Sequence, residues 1–487
     1  MKKSLFLIIA LGFTAQANSI EVGKHDSSKN CCWIPGRKSN AKFSDVEQKK
    51  IFDQRAFKSG AGADYEFSFA QEHQEFIGFQ GQMNFEELRN CFPIFKNGVR
   101  DYPLAYLDSG ATAQMPQSVL DEIVAYYATY KSNVGRGMYE FAEHATSKFE
   151  ESRVKVARFI GAKKEEIAFT SGATASINLA AHIWGQCHIG EGDEIIVSEV
   201  EHNANFIPWY QLALEKGAVL KRVPLNDRGV VEVETLQKYI TNKTKLVAIT
   251  HQSNILGTIN DIAALAQAAH AVGAKVLVDG AQSIVHRKID VKALDCDFFV
   301  FSGHKLFGPT GVGVLYVKEG LFSECQLCNF GGGIVYSVTP EHIEFKGMPH
   351  CLEPGTPPIA QVIGLGAAID FIEKNINFEQ AQEHETFLVH RLVDGLQQIP
   401  GIKIISPIPA HGEHNSMVTF TYDKIHPYDI AQYLSQHNVA VRAGFHCAQP
   451  YHDKVGVNAT IRASFTFYNT QQEVDFLIEC LKKLLLV

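Results

Sequence analysis

The chain has 487 residues, enough for two or three domains around a sizeable core. Hydrophobic residues make up 46% and charged residues 20%, the balance of an ordinary globular protein. A formal net charge of −8 with no long Lys/Arg run excludes the phosphate neutralisation a nucleic-acid binder needs, and ten scattered cysteines exclude a dense disulfide scaffold.

In chain order, residues 1–17 come first. "MKKSLFLIIALGFTAQA" joins two lysines to an apolar run from Leu5 to Phe13 and an A-x-A spacing at Ala15 and Ala17. That is the pattern of a secretory signal peptide, with an apolar run too short to span a bilayer. Residues 18–82 are polar, mixed in charge and weakly periodic, and read as a low-structure extension. Met83 opens "MNFEELRNCFPIF" and is a second candidate start.

From about residue 120, short apolar runs alternate with helical patterns. "EEIAFTSG", "DEIIVSEVEH", "AVLKRVPL", "KLVAITHQSN", "KVLVDGAQ", "CDFFVFSGHK" and "GVGVLYVK" each read as a buried strand ending in polar residues or glycine. "IPWYQLALEKG" and "DIAALAQAAHAVG" are helical stretches between them. The expected fold class is α/β: a large domain, 83–373, with a mostly parallel sheet covered by helices, and a smaller α+β domain, 374–487.

Ligands of such sheets gather at the carboxyl ends of the strands. There the sequence puts Asp279, Ser302, His304 and Lys305, then Ser171 and Thr174 at a helix start, Glu201 and His202, and His251 and Asn254. A Schiff-base cofactor such as pyridoxal phosphate needs a lysine amine, an acid for its pyridine nitrogen and a phosphate cradle. Lys305 and Asp279 supply the first two, and "SGATASIN", with Ser302 and His304, suits the third. Cys447, in "VAVRAGFHCAQP", follows His446 in a loop that also holds Arg442 and Gly444. Alone it reads as an inert small apolar group. "CQLC" at Cys325–Cys328 is half of a zinc pattern with no second pair, so no metal is expected.

"VLVDGAQS", "FVFSGHKLFGPTGVGVLYV", "EHNANFIPW", "HQSNILGTIN", "EPGTP" and "VRAGFHCAQP" together resemble a fold-type I pyridoxal phosphate enzyme of the class-V aminotransferase superfamily. More narrowly they resemble a SufS-type (group II) cysteine desulfurase, also described as selenocysteine lyase. The resemblance runs from about Met83 to the C terminus. It implies that Lys305 carries the cofactor, Asp279 pairs with the pyridinium, Gln282 bonds the phenolic oxygen, and His202 stacks on the ring and also acts catalytically by moving protons. It implies that Asn254 contacts cofactor and substrate, and that Thr174, Ser302 and His304 hold the phosphate. Thr356 would reach the phosphate of the partner in a homodimer. Arg462 would clamp the substrate carboxylate, Arg442 begins the nucleophile loop, and Cys447 is the nucleophile. Two departures stand out: Ala173 replaces a threonine after the phosphate-loop glycine, and Phe445 replaces the first histidine of the usual Gly-His-His-Cys.

The activity this implies converts L-cysteine to L-alanine and leaves sulfur as a Cys447 persulfide. That sulfur would serve iron–sulfur cluster assembly or other delivery through a SufE-type or scaffold acceptor, and selenocysteine is a second expected substrate. The alternatives are another class-V enzyme (aminotransferase, lyase or epimerase) and a non-catalytic binding protein. Cys447 separates the first, since transamination has no use for a thiol in that loop. Neither nucleic-acid binding nor a membrane span is expected. The chemistry favours the cytoplasm and the N-terminal pattern favours export, with the cytoplasm preferred.

Overall fold

A computed structural model describes residues 79–96 and 103–486. The signal-peptide reading of 1–17 and nearly all of the 18–82 extension lie outside the described residues.

The short strand β1 (Ala105–Tyr106) precedes the main sheet, whose strands are β2 (Ile167–Thr170), β3 (Glu194–Ser198), β4 (Val219–Val223), β5 (Thr244–Thr250), β6 (Lys275–Asp279), β7 (Phe298–Ser302) and β8 (Gly313–Val317). The spatial order is β2-β8-β7-β6-β5-β3-β4. Pairing is parallel from β7 through β6, β5 and β3 to β4, and only β8 runs against its neighbours β7 and β2. All seven apolar runs are therefore strands of one sheet. β4 differs from expectation in burial: it is the edge strand, and only Val223 is fully buried.

Alternation along β7 shows why both faces must be covered. Phe299 and Phe301 enter one apolar cluster, while Phe298 and Val300 enter the cluster on the other face. Each such side chain contributes about 1.5–3 kcal/mol by leaving water. Helices Glu140–Phe159 and Ile359–Asn375 pack against each other over the first cluster. The turn after β2 lies so close to β8 that a Cβ on Gly313 would fall 2.4 Å from Gly172 Cα, so only glycine fits there.

After the exposed hairpin β9 (Val335–Val338) and β10 (Ile343–Phe345), a second sheet forms from β11 (Ile402–Ile404), β12 (Met417–Tyr422), β14 (Arg442–Gly444) and β15 (Thr460–Ser464). It is antiparallel, in the order β11-β12-β15-β14. Helices Phe378–Gln397 and Gln471–Leu485 contribute to its apolar cluster through Leu388, Leu392, Leu477 and Leu481, beside Phe420 and Ile461. β13 (Val439–Ala440) pairs in parallel with β1, and just beyond β1 a bridge from Asp108 to Ser464 of β15 ties this stretch to the second sheet.

A buried polar cluster ties residues far apart in the chain. Glu385 accepts from His414 Nε2 at 2.7 Å and lies 2.9 Å from His286 Nδ1, while His286 Nε2 meets Ser416 Oγ at 3.1 Å. Burial pushes the Glu385 carboxyl up, but His286 and His414 outweigh it and hold the group down at about 2. The same carboxylate opposes the lowering that burial imposes on the Arg287 guanidinium.

Candidate active site

One pocket collects side chains from both sheets. Lys305 closes a single turn of 3₁₀ helix, Gly303–Lys305, directly after β7. Asp279 ends β6 on the neighbouring strand, where its carboxylate accepts from Ala281 N at 3.0 Å. Burial pulls the Lys305 ammonium down to about 8, with Asp279 opposing and Arg462 and Arg442 assisting. Burial also raises the Asp279 carboxyl, against the Ala281 N–H and Lys305. A lysine that loses its proton near neutrality is suited to attack a carbonyl.

The candidate phosphate cradle lies where β7 meets the helix Ala173–Ala180. Ser302 Oγ accepts from Ala173 N at 2.8 Å, fixing the hydroxyl at the helix N terminus, and Thr174 is exposed on the first turn. His304 Nδ1 lies 3.1 Å from Thr112 Oγ1, and burial pulls the ring down to about 4. Gln282 Nε2 donates to Gly110 O at 2.7 Å.

His202 caps the helix Asn203–Lys216. Its Nδ1 accepts from Ala204 N at 3.0 Å. Burial, with Lys305 and Arg462 nearby, pulls the imidazole down to about 4, so at neutral pH the ring is uncharged and its proton sits on Nε2. Beside it Glu201 is buried and accepts from Ser198 Oγ, Asn205 Nδ2 and Thr250 N; burial lifts its carboxyl to about 7.

The second sheet supplies the other wall. Arg462 on β15 is buried, donates through Nη1 to Asn254 O at 2.7 Å and through Nη2 to Asp108 Oδ1 at 2.9 Å, and its Nε has no partner among the described residues. Asn254 Nδ2 donates to His446 O at 2.8 Å. Arg442 is exposed, with Nη1 3.9 Å from Asp108 Oδ2. Cys447 follows β14 in a turn where both His446 (φ 50°) and Cys447 (φ 59°) are left-handed. Two consecutive non-glycine residues there cost roughly 1–2 kcal/mol each, so the surrounding bonds must hold the turn. One of them is Asn203 N, which donates to Cys447 O at 2.7 Å.

The pocket thus unites Lys305, Asp279, Gln282, His202, Asn254, Thr174, Ser302, His304, Arg442, Arg462 and Cys447. Thr356 stands apart: it is exposed, outside the lining, and meets Asn133 Nδ2 at 3.5 Å. Asp108, Gln252 and Thr460 were missed by sequence reasoning. Asp108 had a usable signal, an acid in "YLDSG" just past an apolar pair. An amine, a buried acid and a helix-end cradle around one cleft are the donor set pyridoxal phosphate requires, and these residues fit it.

The model of the aminotransferase class-V family matches residues 105–477. The chain is 45% identical over 402 residues to a probable cysteine desulfurase of Halalkalibacterium halodurans, covering 82% of this chain and 98% of the relative. It is 42% identical over 381 residues to a cysteine desulfurase of Haloferax volcanii, covering 78% and 89%. The solved apo cysteine desulfurase of Thermococcus onnurineus superimposes with a TM-score of 0.78 at 36% identity, over 83% of this chain and 98% of that one. With a parallel sheet that delivers a lysine and an acid to one pocket, and relatives of this similarity along nearly their whole length, the chain belongs to the class-V aminotransferase family and, within it, to the cysteine desulfurases.

Proposed function

We propose that this protein removes sulfur from L-cysteine with pyridoxal phosphate as cofactor, releases L-alanine and keeps the sulfur as a persulfide on Cys447. The observation that carries the reading is that Cys447 opens into the same pocket as Lys305 and Arg462, in a chain of cysteine desulfurase kinship. Bound pyridoxal phosphate supplies an electron sink that makes the substrate α-proton labile.

The chain's own groups do the rest. Lys305 would hold the cofactor and, as a free amine, would take the substrate α-proton, a task its lowered proton affinity suits. Asp279 would keep the pyridine nitrogen protonated, Gln282 has a second N–H that would serve the phenolic oxygen, and neutral His202 would lie against the cofactor ring. Thr174, Ser302 and His304 would hold the phosphate. Arg462 takes the substrate carboxylate in a two-pronged bond, exchanging it for Asp108, with Asn254 alongside and Arg442 at the loop. The Cys447 sulfur then bonds the substrate sulfur as the Cβ–S bond breaks. The electron pair of that bond stays on carbon, which is protonated to the methyl of alanine, and the sulfur stays on Cys447 as the outer, sulfane sulfur of a persulfide.

Thr356, outside its own pocket, is assigned to the partner subunit's phosphate in a homodimer. Exposed Met138, Phe330 and Tyr336 support burial against a second copy. Division at 373/374 is supported by the separate apolar cluster of the second sheet, to which Ala105 and Leu107 also contribute. Selenocysteine is a second substrate, and a SufE-type or scaffold protein accepts the sulfur for iron–sulfur clusters. A reducing cytoplasm, the setting we favour, keeps the Cys447 thiol free of disulfides and able to accept sulfur; among the described residues no helix is long and apolar enough to cross a membrane.

The test compares wild type with Cys447→Ala for alanine and sulfide release from L-cysteine. A variant that keeps its cofactor absorbance and loses turnover supports the reading. Undiminished release overturns it in favour of a lyase or aminotransferase.

A further inference from the structure

Phe445 removes a histidine expected in the nucleophile loop, yet a second imidazole reaches the loop from elsewhere. His452, on the helix Gln449–Val455, is buried, and the Phe445 ring meets it edge-on at 5.5 Å. Its Nε2 and that of His446 each lie 2.9 Å from one hydroxyl, Thr460 Oγ1, and Gly444 O is 3.4 Å from the same oxygen.

Proton counting fixes this hub. A hydroxyl donates once, and a carbonyl only accepts. His452 Nδ1 faces Ala448 O at 3.1 Å, so Nδ1 carries the ring proton. Burial pulls His452 below its ordinary value, so Nε2 is bare and accepts the Thr460 O–H. Only lone pairs of Thr460 then remain for His446, whose Nε2 must donate. His446 is also neutral, since burial, with Arg462 and His452 nearby, pulls it down to about 2; its Nδ1 is bare, buried and unpartnered. A ring held neutral so firmly beside two arginines is a poor acceptor for a thiol proton. Its use is mechanical.

We propose that His452 is a positioning residue for sulfur transfer: through Thr460 it fixes the tautomer and orientation of His446 and so holds the left-handed turn that aims Cys447. The His446 and Cys447 carbonyls are already pinned by Asn254 and Asn203, and Ala448 N closes the turn on Phe445 O, which leaves the His446 ring as the side-chain anchor of the turn. The inference rests on Cys447 being the sulfur acceptor.

The holoenzyme variant His452→Leu loses the acceptor for Thr460. The expected result is alanine formation from L-cysteine slowed roughly tenfold to a hundredfold, the scale of a misplaced reacting group. Exchange of the cysteine α-proton in D2O, which does not use the Cys447 thiol, stays within about twofold of wild type by the same reasoning. His452→Gln, whose amide oxygen can accept the Thr460 O–H, restores most of the rate. Thr460→Val, nearly isosteric, repeats the split should the leucine variant fold poorly. Parallel loss of exchange and alanine formation in both variants would mean general damage and overturn the proposal, as would an unchanged alanine rate. Persistence of α-proton exchange when Cys447→Ala abolishes alanine formation verifies the underlying reading separately.

Discussion

Lys305 and Cys447 reach one pocket from opposite kinds of backbone. Lys305 closes a 3₁₀ turn at the end of a buried strand in a seven-stranded sheet, a strand whose phenylalanines fill both faces, and the one left-handed residue of that connection, Phe307 (φ 58°), comes two positions later. Cys447 stands on a turn that two left-handed residues make costly, held by bonds from Thr460, Asn254 and Asn203. At the strand ends burial tunes protonation: it lowers Lys305 and His202 and raises Asp279. At the turn placement decides, so the two halves should fail in different ways.

The largest effect breaks the strand-end half. Lys305→Ala should lower turnover on the order of ten-thousandfold and remove the covalent cofactor band, read by absorbance and alanine assay. Asp279→Asn should lower it roughly a hundredfold to a thousandfold while the pocket stays folded, because an amide cannot balance a protonated ring nitrogen. In the second-sheet half, Arg462→Lys should raise KM more than it lowers the rate of bound substrate, since a point charge replaces a planar fork.

Stability sharpens the contrast. Removing a carboxylate that sits between histidines and an arginine leaves uncompensated charge, so Glu385→Ala should cost about 3–5 kcal/mol in denaturant unfolding with little direct effect on the pocket. The last effect is a pH dependence. His202 and His304 are held near 4 against an ordinary 6.5, so between those values the unfolded chain binds more protons than the folded one. Stability from these groups is complete above 6.5 and is lost as pH falls toward 4. A melting temperature that rose on acidification through that window would contradict the assignment.

The strand-end half was legible because each buried parallel strand is a continuous apolar run, and its first polar residue marks the rim. Asp279, Ser302 and Lys305 all sit at such a break. The turn was legible only in its cysteine. Asp108 meets Arg462 across 354 positions, and that pairing has no local signature. Thr460 is one residue of a buried strand and His452 one of several histidines, so their meeting at one hydroxyl depends on how β15 lies against the helix Gln449–Val455. The burial of β4 was misjudged for a related reason: its sequence does not say which strand stands at the edge.

The central claim is that sulfur rests on Cys447 between its removal from cysteine and its delivery. The most direct measurement is the mass of the Cys447 peptide after brief reaction of the holoenzyme with L-cysteine and rapid alkylation. A peptide heavier by one sulfur atom, returned to its starting mass by a reductant, is the predicted result. Alanine formed while that peptide carries no added sulfur would contradict the account.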